Sequence, residues 1–189
     1  MYQHIIKNLL DRIFAILLIL FLAIPMLLIA VLVKITSPGP VFFKQIRLGL
    51  HKKPFQIIKF RTMKNDAPHN IPTPQFTESK KWITKTGAFL RRTSLDELPQ
   101  LINIATGDMS FVAPRPSHGN EENLISERDR YHVYNYKPGL TGWAQINGRN
   151  SIDIQTKAKL DKEYTQKISF IFDLKCIAKT FRVIIQEKQ

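Results

Sequence analysis

The chain has 189 residues, enough for one domain with a modest core, or for a small domain plus a membrane element. Its 28 Lys and Arg against 15 Asp and Glu give a net charge of +13. That balance favours nucleic acid, phospholipid head groups or phosphorylated metabolites, without choosing among them. The single cysteine, Cys176, excludes an intramolecular disulfide framework and a Cys-based zinc cluster. Its apolar neighbours Leu174, Ile177 and Ala178 predict an inert packed thiol. The histidines at 4, 51, 69, 118 and 132 lack metal-ligand spacing and read as surface or loop residues.

The first element is apolar. Ile13 to Val33 carries no charge and matches the roughly 20 residues a helix needs to cross the hydrocarbon core. It is long for a signal-peptide core, and no small-x-small cleavage site follows it. By composition a single-pass anchor is the simplest reading. Two features oppose it. Pro25, in mid-run, removes a helix hydrogen bond and bends the chain. Both flanks are basic: Lys7 and Arg12 precede the run, and Lys34, Lys44, Arg47, Lys52, Lys53, Lys59 and Arg61 follow it. Basic flanks mark the cytoplasmic side. A helix–break–helix that enters and leaves by one face satisfies both, and the residues alone permit it.

Ser37-Pro38-Gly39-Pro40 ends this element in a turn. Val41–Arg47 and Phe55–Arg61 are short β-rich runs joined by Leu48–Lys53, which predicts a hairpin. Asn65–Lys81, with three prolines, reads as a mobile loop. A helix is expected around Leu98–Ala105, followed by a loop carrying Gly107, Asp108, Pro114, Arg115 and Pro116. Glu121–Tyr134 reads as a charged helix, Lys137–Arg149 as turn-rich and Asp153–Gln166 as a polar helix. In the last segment Leu174, Ile177, Ala178, Phe181 and Ile185 fall at helical spacing, with Lys175, Lys179 and Arg182 largely off the stripe. That basic amphipathic helix suits the head-group layer, a place on the domain core, or both. No repeat and no domain-separating linker is visible.

The chemistry concentrates in Arg91-Arg92-Thr93-Ser94-Leu95-Asp96-Glu97-Leu98-Pro99-Gln100. Ser94-x-x-Glu97 fits a capping box, with Ser94 as N-cap and Asp96 favouring the positive helix end. A carboxylate there, kept ionised by the dipole and by Arg91 and Arg92, could also attack phosphorus or bind a divalent metal. Lys59 and Arg61 offer two cations on one strand face, or simply a solvated face. Pro114-Arg115-Pro116 holds an arginine on a stiff backbone, suited to a bidentate phosphate contact or to a surface turn. Gly139, Gly142 and Gly148 could let backbone amides approach phosphate, although the spacing is neither Walker nor Rossmann. Asp108, Asp161 and Asp173 each read individually as surface or capping acids.

Taken together, these blocks resemble the bacterial sugar transferase family, the small monotopic phosphoglycosyl transferases. The likeness runs from about Lys7 to about Val183. It includes Lys7-x-x-x-Asp11-x-x-x-Ala15, Lys34–Gln45, Lys59-Phe60-Arg61-Thr62-Met63, Ser94–Leu101, Gly107–Val112, Pro114-Arg115-Pro116, Lys137–Asn150 and Phe172-Asp173-Leu174-Lys175. The resemblance implies transfer of a sugar 1-phosphate from a UDP-sugar to undecaprenyl phosphate, with release of UMP. Asp96 would be the nucleophile that forms a phosphosugar–aspartyl intermediate, and Glu97 its partner, both also as ligands of Mg²⁺. Arg115 would bind phosphate, with Lys59, Arg61, Arg91, Arg149 and Asp173 as further substrate-binding residues.

The implied fold is α+β and mostly helical. Residues 1–36 form a re-entrant membrane hairpin, and residues 37–189 form one cytosolic catalytic domain with a small β-hairpin and interfacial helices. The place implied is the cytoplasmic face of a bacterial inner membrane, in contact with anionic phospholipid and not with nucleic acid, and the chain resembles the minimal catalytic form. Two departures stand out. Ala23-Ile24-Pro25 occupies the membrane break where the family commonly has Ser-Pro, and Ala113 replaces a glycine before Pro-Arg-Pro. The sugar (N-acetylhexosamine, diamino sugar or hexose), the glycan pathway and the oligomeric state, a homodimer included, stay open. The rival readings are a membrane-anchored nucleic-acid-binding protein and a non-catalytic scaffold of polysaccharide assembly.

Overall fold

A computed structural model of the protein describes residues 2–67, 79–148 and 152–186. A π-helical turn, Tyr2–Ile6, leads into α1 (Lys7–Phe21), and α2 (Ala23–Thr36) follows. Leu22, at φ −94° and ψ 8°, separates the two helices, which are bent by 65°. The helical ladder closes on each side of the lapse: the Leu22 amide donates to Leu18 and the Met26 amide to Leu22, both at 2.8 Å. Between them Pro25 has no N–H to offer, and its ring crowds the carbonyl of Phe21, four residues back. The break is therefore at Leu22, not at Ala23-Ile24-Pro25, which form the first turn of α2. A proline disturbs the turn before itself, so the bend precedes it.

Among the described residues no single helix is long and apolar enough to cross a membrane, but the bent pair passes that test by length and composition. Phe21 and Ile24, beside the bend, are 80% and 72% exposed. Both ends of the pair are tied to the same body. At the start of α1, Lys7 forms a 2.8 Å ion pair with Asp173. At the end of α2, Arg61 donates to the Ser37 carbonyl at 2.6 Å, and Thr86 to the Thr36 hydroxyl at 3.1 Å.

The predicted hairpin is present as β1 (Phe42–Leu48) and β2 (Pro54–Phe60), antiparallel, with Phe42 opposite Phe60 and Leu48 opposite Pro54. A short helical turn, α3 (Ser79–Trp82), precedes α4 (Lys85–Thr93), which Thr84 caps by accepting from the Gly87 amide at 2.9 Å. A Cβ at Gly87 would overlap the Thr62 backbone, so the glycine lets α4 lie directly on the segment after β2. Then come α5 (Gln100–Thr106), β3 (Ser110–Val112), α6 (Glu122–Arg130), β4 (Gly139–Thr141), α7 (Trp143–Ile146), α8 (Ile154–Lys167) and α9 (Phe170–Gln186).

The predicted charged helix stops at Arg130 rather than Tyr134, because His132 turns left-handed at φ 53°. The polar helix matches within a residue, with Asp153 as its N-cap accepting from Thr156 at 2.8 Å. β3 and β4 pair in parallel, Ser110 with Gly139 and Val112 with Thr141. Strands this short carry no readable period, so the sequence showed only loops there. Gly139 and Gly142 serve this pairing. A Cβ at either would overlap the Ala113 backbone, so they are close-approach glycines rather than a phosphate cradle.

Three small cores hold the elements together. Ala15, Ile57, Leu101, Ile104 and Met109 join α1, β2 and α5. Val33, Phe60 and Leu90 join α2, β2 and α4. Val112, Ala113, Tyr164 and Cys176 join β3, α8 and α9. The Cys176 thiol is fully buried and pushed up to about 11 by burial, so it is packed and unreactive as expected. Of the two readings of α9, the structure shows the place on the domain core. Asp173 and Cys176 face the core, while Phe170, Ile171, Leu174 and Phe181 leave an exposed apolar face.

Candidate active site

The Asp96–Glu97 pair lies on a 3₁₀ turn, Leu95–Glu97, between α4 and α5. The expected capping box does not form. Ser94 is left-handed at φ 57°, ends α4, and its side chain caps nothing. Only backbones meet there: the Ser94 amide donates to Arg91 and the Glu97 amide to Ser94, each at 3.2 Å. The Glu97 side chain has stronger partners elsewhere. Pro99 stands at the N-cap of α5, which shortens the predicted helix by two residues at its start.

Glu97 is clamped. Lys59, near the end of β2, donates to Oε1 at 2.8 Å. Arg115 reaches both carboxylate oxygens, Oε2 at 3.2 Å and Oε1 in a shorter contact, and also donates to the Leu140 carbonyl at 3.1 Å. This is the bidentate fork that arginine geometry favours. Burial alone would raise the Glu97 carboxyl, but Arg115 and Lys59 together hold it far below the carboxylate range. Glu97 in turn raises Arg115, whereas burial lowers Lys59 despite Glu97.

Asp96 is the opposite case. It is buried, at 9% exposure, yet among the described residues no hydrogen bond or ion pair reaches its carboxylate. Burial raises its pKa above the usual 3.8, and Glu97 adds to this. Lys59, Arg91 and Arg115 pull the other way. So the expectation that Asp96 is held ionised by a helix dipole with Arg91 and Arg92 is replaced by a balance of burial against three cations. Of these, Arg91 is anchored through Nε to the Thr62 hydroxyl at 2.8 Å, and Arg92 is exposed. The site thus holds one committed carboxylate and one uncommitted carboxylate in a cationic field.

The loop that carries Arg115 is held by its carbonyls. Gly139 donates its amide to Pro114 at 2.9 Å, Arg128 donates Nη1 to Arg115 at 2.9 Å, Arg47 donates Nη1 to Pro116 at 3.2 Å, and the Leu48 amide donates to Ser117 at 3.0 Å. Prolines 114 and 116 have no N–H, so acceptance is how their backbone is fixed. Sequence reasoning missed Arg47 and Arg128. Their partners lie 69 and 13 residues away, and no spacing announces either contact.

Two expected site residues are employed elsewhere. Arg61 lies one residue past β2, and its guanidinium turns to the Ser37 carbonyl, so it shares no cluster with Lys59. Asp173 accepts from Tyr2 and Lys7, each at 2.8 Å, and lies 2.7 Å from the Tyr164 hydroxyl. Lys7 also pairs with Asp11 at 3.5 Å, and Asp11 accepts from Ser110. This buried network fastens α1 to α9, α8 and β3, and Asp173 is its hub. Arg149 lies outside the described residues. Asp161, read as a surface or capping acid, is fully buried against Arg128.

Among the described residues no group of three His, Cys, Asp or Glu could form an all-protein metal cage. The donor set still fits Mg²⁺, which keeps several waters and takes one or two carboxylates together with substrate phosphates. With Glu97 engaged by two cations, Asp96 is the side chain with coordination capacity to spare.

The protein thus combines an apolar bent helix pair on a small α+β body with an arginine-clamped acid beside an uncommitted one. Residues 2–187 match the family described as bacterial sugar transferase, and the chain belongs to that family. It is similar to the "Uncharacterized sugar transferase EpsL" of Bacillus subtilis, 42% identical over 185 residues, covering 96% of this chain and 88% of that protein. It is also similar to the UDP-glucose:undecaprenyl-phosphate glucose-1-phosphate transferase of Escherichia coli, 41% identical, covering 93% of this chain but 39% of the relative. A third relative, the UDP-N-acetylgalactosamine-undecaprenyl-phosphate N-acetylgalactosaminephosphotransferase of Aeromonas hydrophila, is 35% identical, covering 85% and 39%. The chain thus spans well under half the length of these two functionally named relatives.

Proposed function

We propose that the protein is a phosphoglycosyl transferase that moves a sugar 1-phosphate from a UDP-sugar to undecaprenyl phosphate and releases UMP. The observation that carries this reading is the uncommitted, buried Asp96 carboxylate beside an Arg115–Glu97–Lys59 clamp. An Asp96 oxygen attacks the β-phosphorus of the UDP-sugar. The bond from that phosphorus to the bridging oxygen breaks, UMP leaves with the electron pair, and a phosphosugar–aspartyl acyl phosphate remains. A phosphate oxygen of the lipid then attacks the same phosphorus. Asp96 is restored, and the product is an undecaprenyl diphosphate sugar. Lys59, Arg91 and Arg115 supply positive potential to the diphosphate, and Glu97 keeps Arg115 and Lys59 in place. When bound by Asp96 and the substrate phosphates, Mg²⁺ offsets charge on the transferring group.

The helix pair supports a re-entrant placement. Both of its ends are fastened to one body, and Phe21 and Ile24 beside the bend are exposed apolar side chains. The exposed apolar face of α9, with Lys175 beside it, supports contact with anionic lipid on the cytoplasmic face. On this reading a water-soluble nucleotide and a lipid phosphate meet at the same carboxylate.

The decisive assay is UMP release by the full chain in lipid with Mg²⁺, undecaprenyl phosphate and a panel of UDP-sugars including UDP-glucose and UDP-N-acetylgalactosamine. Release dependent on one sugar supports the reading, and no release with any sugar ends it.

The pH dependence has a definite sign. The Asp96 pKa is raised above 3.8, so the attacking carboxylate is lost as pH falls through that raised value. Glu97 is depressed and stays ionised across the same range. Single-turnover UMP release without lipid acceptor is therefore expected to fall on the acid side, along one limb with a slope of about tenfold per pH unit. A rate that rises as pH falls would refute this role for Asp96. For stability the sign reverses. A raised folded-state pKa means Asp96 favours the fold at acid pH, and that contribution disappears as pH rises through it.

A further inference from the structure

Arg128 and Asp161 are among the most deeply buried side chains, at 1% and 0% exposure, and neither was expected to be there. Arg128 Nε and Nη2 both donate to Asp161 Oδ2, at 2.8 and 2.6 Å. Its remaining arm, Nη1, donates to the main-chain carbonyl of Arg115 at 2.9 Å. α6 supplies the arginine and α8 the aspartate, so two helices are joined through one fork to one peptide group.

A buried ion pair is a poor way to stabilise a core, since apolar residues of similar volume commonly do as well or better. What this pair adds is direction. Proline on each side of Arg115 leaves the loop few donors of its own, and the carbonyl that Arg128 holds belongs to the residue whose guanidinium grips Glu97. We propose that Arg128, aligned by Asp161, is a positioning residue for Arg115. It sets where the Arg115 guanidinium meets Glu97 and therefore the cationic field at Asp96. This rests on the reading of Asp96 and Arg115 as the UDP-sugar site. Arg128 itself touches no reacting atom.

The test is a double-mutant cycle on UMP release by the full chain in lipid, reading kcat/KM for the UDP-sugar together with Tm. Arg128→Lys keeps the charge but replaces the rigid planar fork, whose three N–H groups hold Asp161 and the Arg115 carbonyl in a fixed relation, with one ammonium on a flexible stem. It is expected to lower kcat/KM on the order of 10- to 100-fold, the scale of a small misplacement in an active site. In an Arg115→Lys background, where the bidentate grip is already gone, the same change is expected to cost less than about 3-fold. Equal losses in both backgrounds, or no loss in the first, would overturn the proposal and leave Arg128 as scaffold. If Arg128→Lys does not fold, Asp161→Asn, which retains the Arg128 contact but loosens its aim, runs the same cycle under the same criteria. Absence of UMP release by the wild type would remove the site reading first, and the positioning role with it. Wild-type activity with additive losses removes only the positioning role.

Discussion

Asp96→Asn is expected to abolish UMP release while leaving the protein as stable as the wild type, or slightly more so. The two halves have one cause. Asp96 is buried, and among the described residues it has no bonded partner. Its charge is therefore a cost to the fold, offset only by the fields of Lys59, Arg91 and Arg115. An isosteric amide removes the cost. It also removes the nucleophile, and losing a nucleophile lowers turnover by about ten-thousand-fold or more in enzymes with a covalent intermediate. The pair of measurements is UMP release and thermal unfolding on the same preparation. Substantial activity in Asp96→Asn would sink the covalent mechanism. A large drop in Tm would show that Asp96 has structural partners instead. Glu97→Gln should behave differently, because Glu97 bonds to Lys59 and Arg115 and its loss leaves both cations without their counter-charge.

Asp173→Ala carries the second large effect, and it falls on stability. Resemblance assigns Asp173 to the substrate, but its oxygens meet Tyr2, Lys7 and Tyr164 inside the protein. The Lys7–Asp173 pair is nearly enclosed, with side-chain exposures of 9% and 8%. Removing one member of such a pair costs about 3–5 kcal/mol, because the remaining charge stays buried. Asp11, 3.5 Å from the Lys7 ammonium, keeps a partial counter-charge and puts the loss toward the lower end. For a chain of this length each kcal/mol moves Tm by about 2–4 °C, so a fall of roughly 6–15 °C is expected. The surviving folded enzyme should keep its KM for the UDP-sugar. An unchanged Tm with a raised KM would return Asp173 to the substrate site.

How much of this was legible in the sequence depends on the range of the interaction. Asp153–Gln166 and Val41–Arg61 could be read to within a residue or two, because period, turn residues and an N-cap are local signals. The bend in the apolar pair was legible in Pro25, but its place was misjudged by one residue because proline acts on the turn before it. Ser94 illustrates a false local signal. Ser-x-x-Glu is a genuine capping pattern, yet Glu97 is drawn to cations 38 and 18 residues away, and Ser94 turns left-handed to end α4. β3 and β4 were invisible because three-residue strands have no period and pair across a long insertion.

By itself, then, the sequence determined the class of the protein: a membrane-length apolar run with a break, a small hairpin, helices at both ends, and an ordered set of blocks that belongs to the bacterial sugar transferases. It also marked Asp96, Glu97 and Arg115 as the residues to watch. Only the tertiary structure divided their labour. It committed Glu97 to Arg115 and Lys59, left Asp96 without a partner among the described residues, and moved Asp173 and Arg61 from the site to the fastenings of the helix pair. It also placed Arg128 and Asp161 behind the Arg115 loop. The physical reason is that charge and burial act through space. Which of two adjacent carboxylates is neutralised is decided by cations that the chain brings back from far away in sequence, and no local pattern records where they land.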